Sequence, residues 1–205
     1  MKIVIATRNR HKAVELQTLL HGVGYDAVRL DEIDPDGKIP EVEETGTTFK
    51  ENALLKAHAI AKATGLPSVA DDTGLEVDAL GGAPGIFSAR YSGENCTYED
   101  NVKKLLNELS DVADDRRTAR FKTVAVYVHK ETELSAEGVV EGVITEKAEG
   151  FGGFGYDPVF SVWDMKKTYA QLADEEKNRV SHRGKAIRSL IEKLHENGLI
   201  ADNPS

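Results

Sequence analysis

Three polar residues, Thr7, Asn9 and Lys12, lie where an apolar strand pattern gives way to a helical one. The first turn of a helix presents unpaired backbone N–H groups and the positive end of the helix dipole, and both attract phosphate oxygens. A lysine in that turn adds a full positive charge. The spacing therefore predicts a triphosphate cradle, although an ordinary helix cap with a solvated lysine has the same pattern. The chain holds no GxxxxGKS or GxxxxGKT motif, which excludes a Walker A loop.

Two adjacent carboxylates, Asp71 and Asp72, interrupt an apolar strand pattern that ends at Ala70. Because successive strand residues point to opposite faces of a sheet, one of the two could face a cleft as a base or a Mg²⁺ ligand. Mg²⁺ takes one or two carboxylates together with phosphate oxygens and water. One further carboxylate from the acidic segment 31–46, Glu43 or Glu44, would therefore complete the protein ligands. A solvated Asp-Asp-Thr-Gly turn is the alternative.

A lysine lies on the apolar side of a predicted helix. Lys56 follows Phe49 by seven residues and precedes Ile60 by four, which places it on the apolar stripe. Its ammonium group either reaches out to water along that stripe or points into a cleft beside an anion.

A glycine-rich turn, GGFGYD, covers residues 152–157. Glycines let the backbone approach a ligand closely, and an aromatic side chain such as Phe154 can stack on a base, which is worth about 1–3 kcal/mol. Asp157 or the backbone could then bind the base edge. The alternative is an ordinary hairpin connection.

Polar donors also cluster at the predicted start of the last helix. Arg183 can form the paired planar hydrogen bonds that suit an oxo group or a phosphate, with Lys177 a short distance upstream. His182 could instead be a simple surface residue.

The elements that position these residues alternate between strand and helix patterns, which predicts a mixed α/β fold in one domain, residues 1–205. The first helix is expected to bury Val14, Leu16, Leu19 and Leu20. The acidic segment 31–46 has no clear periodicity and is predicted to be a long loop. The predicted strands are residues 2–6, 27–30, 68–70, 119–129, 134–145 and 159–162, and the predicted helices follow Asn9, cover 48–64 and 97–109, and begin near Ser181.

The composition limits the ligands and the location. With 26 basic and 35 acidic residues, the net charge of −9 repels nucleic acids and anionic membranes, so a polyanionic ligand needs a local basic pocket or a metal. The basic run between Arg116 and Lys122 is short and is interpreted as solvated surface. No apolar run approaches the ~18 residues of a membrane span and no signal-peptide pattern is present, so we expect a cytoplasmic protein. Cys96 is the only cysteine, which excludes an intramolecular disulfide.

Five segments in this order resemble the inosine triphosphate pyrophosphatase family, also called noncanonical purine NTP pyrophosphatases or XTP/dITP diphosphatases. The segments are ATRNRHK, EETGTTFKENALLKA, ADDTGLEVDALGGAPGIFSARYSG, GGFGYDPVF and EEKNRVSHRGKA. The resemblance implies an elongated mixed β-sheet flanked by helices, two lobes with a central substrate cleft, and usually a homodimer. It also implies Mg²⁺-dependent hydrolysis of ITP, dITP and XTP to the nucleoside monophosphate and pyrophosphate, a house-cleaning reaction of the nucleotide pool.

The resemblance also implies roles for individual residues. Asp72 would be the proton acceptor and a Mg²⁺ ligand with Glu43 or Glu44, and Thr73 would touch the substrate. Phosphate contacts would come from Thr7, Arg8, Asn9, Arg10, His11, Lys12 and the catalytic Lys56. The base and sugar pocket would consist of Phe154, Gly155, Tyr156, Asp157, Lys177, His182 and Arg183, with Phe154 stacked on the purine.

Two positions depart from the family pattern, and two other functions stay open. Relatives often have glycine at the position of Arg8 and serine at that of Thr73. Hydrogen bonds to the 6-oxo edge of the base would exclude 6-amino purines, since an ATP complex would leave buried donors unpaired. The alternatives are a pyrophosphatase for other nucleotides and a nucleotide-binding module without turnover.

Overall fold

The computed structural model describes residues 2–199, and its seven strands form one mixed sheet. The strands are β1 Lys2–Ile5, β2 Asp26–Arg29, β3 Ser68–Val77, β4 Thr118–His129, β5 Thr132–Ile144, β6 Phe160–Val162 and β7 Lys167–Thr168. Their order in the sheet is β2-β1-β3-β4-β5-β6-β7. β1 is parallel to β2 and β3, whereas β6 is antiparallel to β5 and β7. The predicted mixed α/β sheet is therefore confirmed.

Six helices of the described residues accompany the sheet. They are α1 Arg10–His21, α2 Leu30–Ile33, α3 Phe49–Thr64, α4 Tyr98–Glu108, α5 Asp174–Val180 and α6 His182–Glu196. The start signals of α3 and α4 act as predicted, since Thr48 pairs with Glu51 and Thr97 with Asp100 in reciprocal capping boxes. Gly65 ends α3 with a φ of 69°, a left-handed conformation that glycine adopts without strain. No helix among residues 2–199 is both long and apolar enough to cross a membrane.

Two local predictions were wrong, and one alternative is excluded. β3 does not end at Ala70 but continues through the carboxylate pair to Val77, because cationic and amide side chains bind both carboxylates inside the fold. The solvated-turn alternative is thereby excluded. Val14 is 45% exposed, and Ala13, Leu16 and Leu20 form the buried face of α1 instead.

Two short helices were missed. The segment predicted as a loop from residue 31 lies partly in α2. α5 has too few apolar residues for a helical stripe, but acidic residues occupy its first turn and basic residues its last. That distribution complements the helix dipole and stabilises a short helix without hydrophobic periodicity.

The described chain divides into two compact units whose segments alternate along the sequence. The first comprises residues 2–72, 123–138 and 183–199, and the second comprises residues 73–122 and 139–182. In the first unit, α1 and α6 bury Leu16, Leu20, Ile187 and Leu190 against Ile3 and other strand residues. In the second, Leu105 and Leu109 pack with Phe121, Phe160 and Tyr169. Each such buried side chain contributes about 1.5–3 kcal/mol of transfer free energy.

Candidate functional site

The turn between β1 and α1 is held by its own polar side chains. Asn9 is the N-cap of α1, and its Oδ1 accepts hydrogen bonds from the backbone N–H groups of His11 at 3.1 Å and Lys12 at 3.2 Å. The Asn9 N–H donates in turn to Thr7 Oγ1 at 3.2 Å. Since the cap already occupies two first-turn N–H groups, attraction of an anion here depends mainly on the Lys12 ammonium and the helix dipole.

Arg8 is bound to the loop that follows α2. Its guanidinium donates to Asp34 Oδ2 at 3.3 Å and to the Ile39 carbonyl. The backbone N–H groups of Ile39 and Lys38 also donate to Asp34, and with Arg8 they lower the pKa of that carboxyl group. Arg10, like Arg8, is an exposed residue. A phosphate contact by either arginine stays a prediction.

The carboxylates of Asp71 and Asp72 have different partners, as the alternation along β3 requires. Asp71 is fully buried and accepts from Arg183 of α6, and it lies 3.6 Å from the Lys12 ammonium of α1. Asp72 is 6% exposed and accepts from Asn52 Nδ2 of α3 at 3.3 Å. One carboxylate therefore faces α1 and α6, and the other faces α3.

The Lys56 ammonium points to anions rather than to water. Its Nζ lies 2.7 Å from Glu44 Oε1 and 3.7 Å from Asp72 Oδ1, and the side chain is 12% exposed. Burial by itself would lower the pKa of Lys56, but the carboxylates of Asp72, Glu44 and Asp71 outweigh it and raise the pKa. Glu43, the other glutamate considered, is exposed. The structure thus places Glu44, and not Glu43, at the Lys56 ammonium that Asp72 also contacts.

The first-unit cluster carries more negative than positive charge. It consists of three cations, Lys12, Lys56 and Arg183, and four carboxylates, Glu15, Glu44, Asp71 and Asp72. Burial raises the pKa of Asp72, and the nearby lysines offset only part of that rise. A divalent cation would offset the excess negative charge. It would also stabilise the ionised form of the Asp72 carboxylate, which burial disfavours.

The donor set of this cluster fits Mg²⁺. Within residues 2–199, no three histidine, cysteine, aspartate or glutamate side chains converge to hold a metal by themselves. Mg²⁺, however, usually takes only one or two protein carboxylates and completes its shell with phosphate oxygens and water. Asp72 and Glu44 are two hard oxygen donors that both approach the Lys56 ammonium, at 3.7 and 2.7 Å.

In the second unit, Asp157 holds the glycine-rich turn in shape. Its Oδ2 accepts from the backbone N–H of Phe154 and from Lys177 Nζ, both at 2.8 Å. Gly153 has a φ of 73°, and a Cβ at this position would lie 2.1 Å from Asp157 Oδ2. Only glycine fits there, because the backbone lies against the Asp157 side chain. The predicted close approach of the turn to a ligand stays a prediction.

The Phe154 ring is bordered by a cation and an aromatic ring. Lys177 Nζ lies 4.8 Å from the ring centroid, and the Tyr98 ring lies 6.0 Å away at an angle of 45°. Phe154 and Gly155 are half-buried. Tyr156 is buried and donates to the Ser88 carbonyl at 2.9 Å, so it supports the turn from inside the unit.

His182 and Arg183 are adjacent in sequence but belong to different units. His182 stacks on Phe121 with 4.5 Å between centroids, and its Nδ1 lies 3.3 Å from the Tyr169 hydroxyl. It is 3% exposed, so the surface-residue alternative is wrong. Arg183 lies in the first unit and binds Asp71 and Glu15. A role for Arg183 at the base stays a prediction.

Comparison with known proteins shows that residues 3–193 match the Ham1 family. The chain belongs to the Ham1 family. It is 54% identical to the dITP/XTP pyrophosphatase of Salmonella typhimurium over 196 residues, which covers 94% of this chain and 98% of that protein. These matches confirm the resemblance predicted from the five segments.

Two solved Ham1 structures have the same fold. The Staphylococcus aureus Ham1 protein is 42% identical, with a TM-score of 0.83 over 96% of this chain and 100% of that one. A HAM1 protein from Coxiella burnetii is 41% identical, with a TM-score of 0.84 over 96% and 99% of the two chains. The Ham1 fold is therefore shown by sequence and by structure.

Sequence reasoning gave no role to two residues, Asn52 and Glu15, that support this Ham1 site. Asn52 bridges β3 and the acidic loop, because its Oδ1 accepts from the Gly46 N–H at 2.8 Å while its Nδ2 donates to Asp72. Its position four residues before Lys56 was the available signal. Glu15 binds Arg183 and lies three residues after Lys12 on α1, a spacing that puts both on one side of the helix.

Proposed function

We propose that this Ham1-family protein hydrolyses noncanonical purine nucleoside triphosphates, dITP, XTP and ITP, to the nucleoside monophosphate and pyrophosphate. The observation that carries the proposal is the buried Asp72 carboxylate held between Lys56 and Asn52, beside Glu44. The name of the relative at 54% identity supports the substrate class.

The first unit supplies the groups for phosphate chemistry. Lys12 and Lys56 would neutralise charge on the phosphate oxygens, and Asp72 would take a proton from the attacking water. The Lys56 ammonium, at 3.7 Å, favours the ionised form of Asp72 that this step requires. Asn52 fixes the orientation of the same carboxylate through its hydrogen bond to Oδ2.

Mg²⁺ is part of this proposal. Asp72 and Glu44 would hold it, because the four carboxylates of the first-unit cluster outnumber its three cationic side chains and, without a metal ion, would repel a triphosphate. When bound, the ion supplies positive charge to the phosphates and acidifies a coordinated water.

The second unit supplies the groups for base recognition. Phe154 would stack on the purine, with its turn fixed by the Asp157 hydrogen bonds. An ammonium group carries only donors, so Lys177 suits the oxygen of a 6-oxo purine and not the amino group of adenine. The proposal includes the homodimer and the cytoplasmic location as predictions, and light scattering of the purified protein tests the homodimer.

Replacing Phe154 by alanine is expected to lower kcat/KM for dITP, mainly through KM. Loss of a stacking contact worth about 1–3 kcal/mol corresponds to roughly a 5- to 150-fold decrease. Steady-state pyrophosphate release measures the change. Phe151→Ala is the matched control, because Phe151 belongs to the same turn region and is fully exposed. Equal effects of the two substitutions would contradict stacking by Phe154.

The function itself is tested by pyrophosphate release from ITP, XTP, dITP, GTP and ATP at matched concentrations, with Mg²⁺ and with EDTA. We expect release from ITP, XTP and dITP that requires Mg²⁺, and little from ATP, which lacks the 6-oxo group, or from GTP, which has that group and has to be excluded at its 2-amino group. Equal release from all five would indicate a pyrophosphatase without base selection. Nucleotide binding without release from any of them would favour a binding module and overturn the proposal.

A further inference from the structure

Glu15 is a largely buried carboxylate that the proposed hydrolysis does not use. Its side chain is 17% exposed and accepts from Nη1 of Arg183. On α1 it lies one turn after Lys12, the lysine proposed to contact phosphate. A largely buried carboxylate that binds a buried arginine next to the proposed phosphate-binding lysine is placed to help arrange that site.

Arg183 connects Glu15 to β3, because it binds both Glu15 and Asp71. Its side chain is 2% exposed, and Nε donates to Asp71 Oδ2 at 3.1 Å. Burial would lower the pKa of Arg183, but the carboxylates of Asp71 and Glu15 raise it overall. The guanidinium is thus divided between two carboxylates, and its planar donors fix the direction of each contact.

One oxygen of Asp71 serves two cations. Lys12 Nζ lies 3.6 Å from the same Oδ2 that accepts from Arg183. Burial lowers the pKa of Lys12, and Lys56 and Arg183 lower it further, whereas Asp71 and, more weakly, Asp72 raise it. Asp71 is therefore the carboxylate that compensates the Lys12 charge most strongly. The contacts from Glu15 to Arg183, from Arg183 to Asp71 and from Asp71 to Lys12 form a ring through α6 and β3 that begins and ends on α1.

We infer that Glu15 is a positioning residue which, through Arg183 and Asp71, places the Lys12 ammonium group for phosphate binding. The inference rests on the proposed function, in which Lys12 contacts phosphate. Without the Glu15 charge, Asp71 becomes the only carboxylate of the ring for the Arg183 guanidinium. Arg183 is then held less firmly from α1, so the Asp71 oxygen that it shares with Lys12 is no longer fixed, and the Lys12 ammonium loses the position from which it would bind a polyanion.

The test measures inorganic pyrophosphate binding by calorimetry in Mg²⁺ buffer, where no turnover occurs. Glu15→Gln keeps the shape and an acceptor oxygen but removes the charge, and we expect about tenfold weaker binding. KM for dITP should rise more than kcat falls. Glu192→Gln is the matched control, since Glu192 is exposed on α6, and its affinity should stay that of the unaltered protein.

A double-mutant cycle separates positioning from a general structural role. In a Lys12→Ala background, Glu15→Gln should change pyrophosphate affinity by less than about twofold, because its effect acts through the missing ammonium. An equal loss in both backgrounds, or no loss in either, overturns the inference. Thermal melting verifies folding, and Glu15→Asp, which keeps the charge, replaces Glu15→Gln in the cycle if the latter does not fold.

The proposed function and the inference fail in different ways. If the unaltered protein releases no pyrophosphate from dITP or XTP, the proposed function is wrong, while the binding cycle still tests Glu15. If the unaltered protein is active and Glu15→Gln binds pyrophosphate as tightly, only the inference is wrong. Absence of pyrophosphate binding by the unaltered protein also overturns the inference.

Discussion

Replacing Asp72 by asparagine is expected to lower kcat for dITP and XTP by about 10³-fold or more while the protein stays folded. The substitution removes the proposed base and one of two proposed Mg²⁺ ligands, Asp72 and Glu44. Folding should tolerate it, because burial already raises the pKa of Asp72 and makes its charged form costly. A neutral amide of the same shape avoids that cost.

The measurement is steady-state pyrophosphate release together with thermal melting. Asp111→Asn is the control, since Asp111 is an exposed aspartate and the chemical change is identical. If the Asp72 variant kept activity within a few fold of the unaltered protein, Asp72 would be excluded from the mechanism. A large loss in the Asp111 variant would show that the assay responds to something other than the site.

Replacing Lys56 by glutamine should lower kcat/KM by about 10²- to 10³-fold, the second largest effect expected. The Lys56 ammonium contacts Glu44 and Asp72, so its loss leaves both carboxylates without the cation that they share. It also removes a positive charge proposed to act on the phosphates. Initial rates over a range of dITP concentrations measure the change.

Lys62→Gln provides the control for Lys56, because Lys62 is an exposed lysine on the same helix, α3. The Lys56 variant should also gain more thermal stability from added Mg²⁺, since no ammonium then competes for the two carboxylates. Equal activity losses for the two lysine variants would contradict a specific role of Lys56. An unchanged response to Mg²⁺ would count against metal binding by Asp72 and Glu44.

Much of the fold could be predicted because its signals are local. Thr48 and Thr97 mark helix starts through capping boxes whose two partners lie three residues apart. The glycine cluster predicted a turn at residues 152–157, and the structure shows that Gly153 is required there because a Cβ would meet the Asp157 side chain. The family resemblance depended on such segments in a fixed order, and the comparisons confirmed it.

The site could be predicted only in part because many of its charged side chains bind partners that are distant in the sequence. Glu43 and Glu44 are equivalent in a stretch without periodicity, and only the folded loop brings Glu44 to Lys56. Lys56 could have reached water along its helix, but its partners lie on other segments. α5 was missed because charge, and not apolar periodicity, defines it.

The sequence by itself determined the family, the order of the longer strands and helices, and the types of residue available for phosphate, base and metal. Only the tertiary structure decided which acidic and basic side chains form ion pairs with each other. Arg183 is 112 residues from Asp71 and 168 residues from Glu15 along the chain, yet it binds both. Nothing in local spacing indicates such pairs, because they form only where burial removes water and each charge must find an opposite charge within the fold.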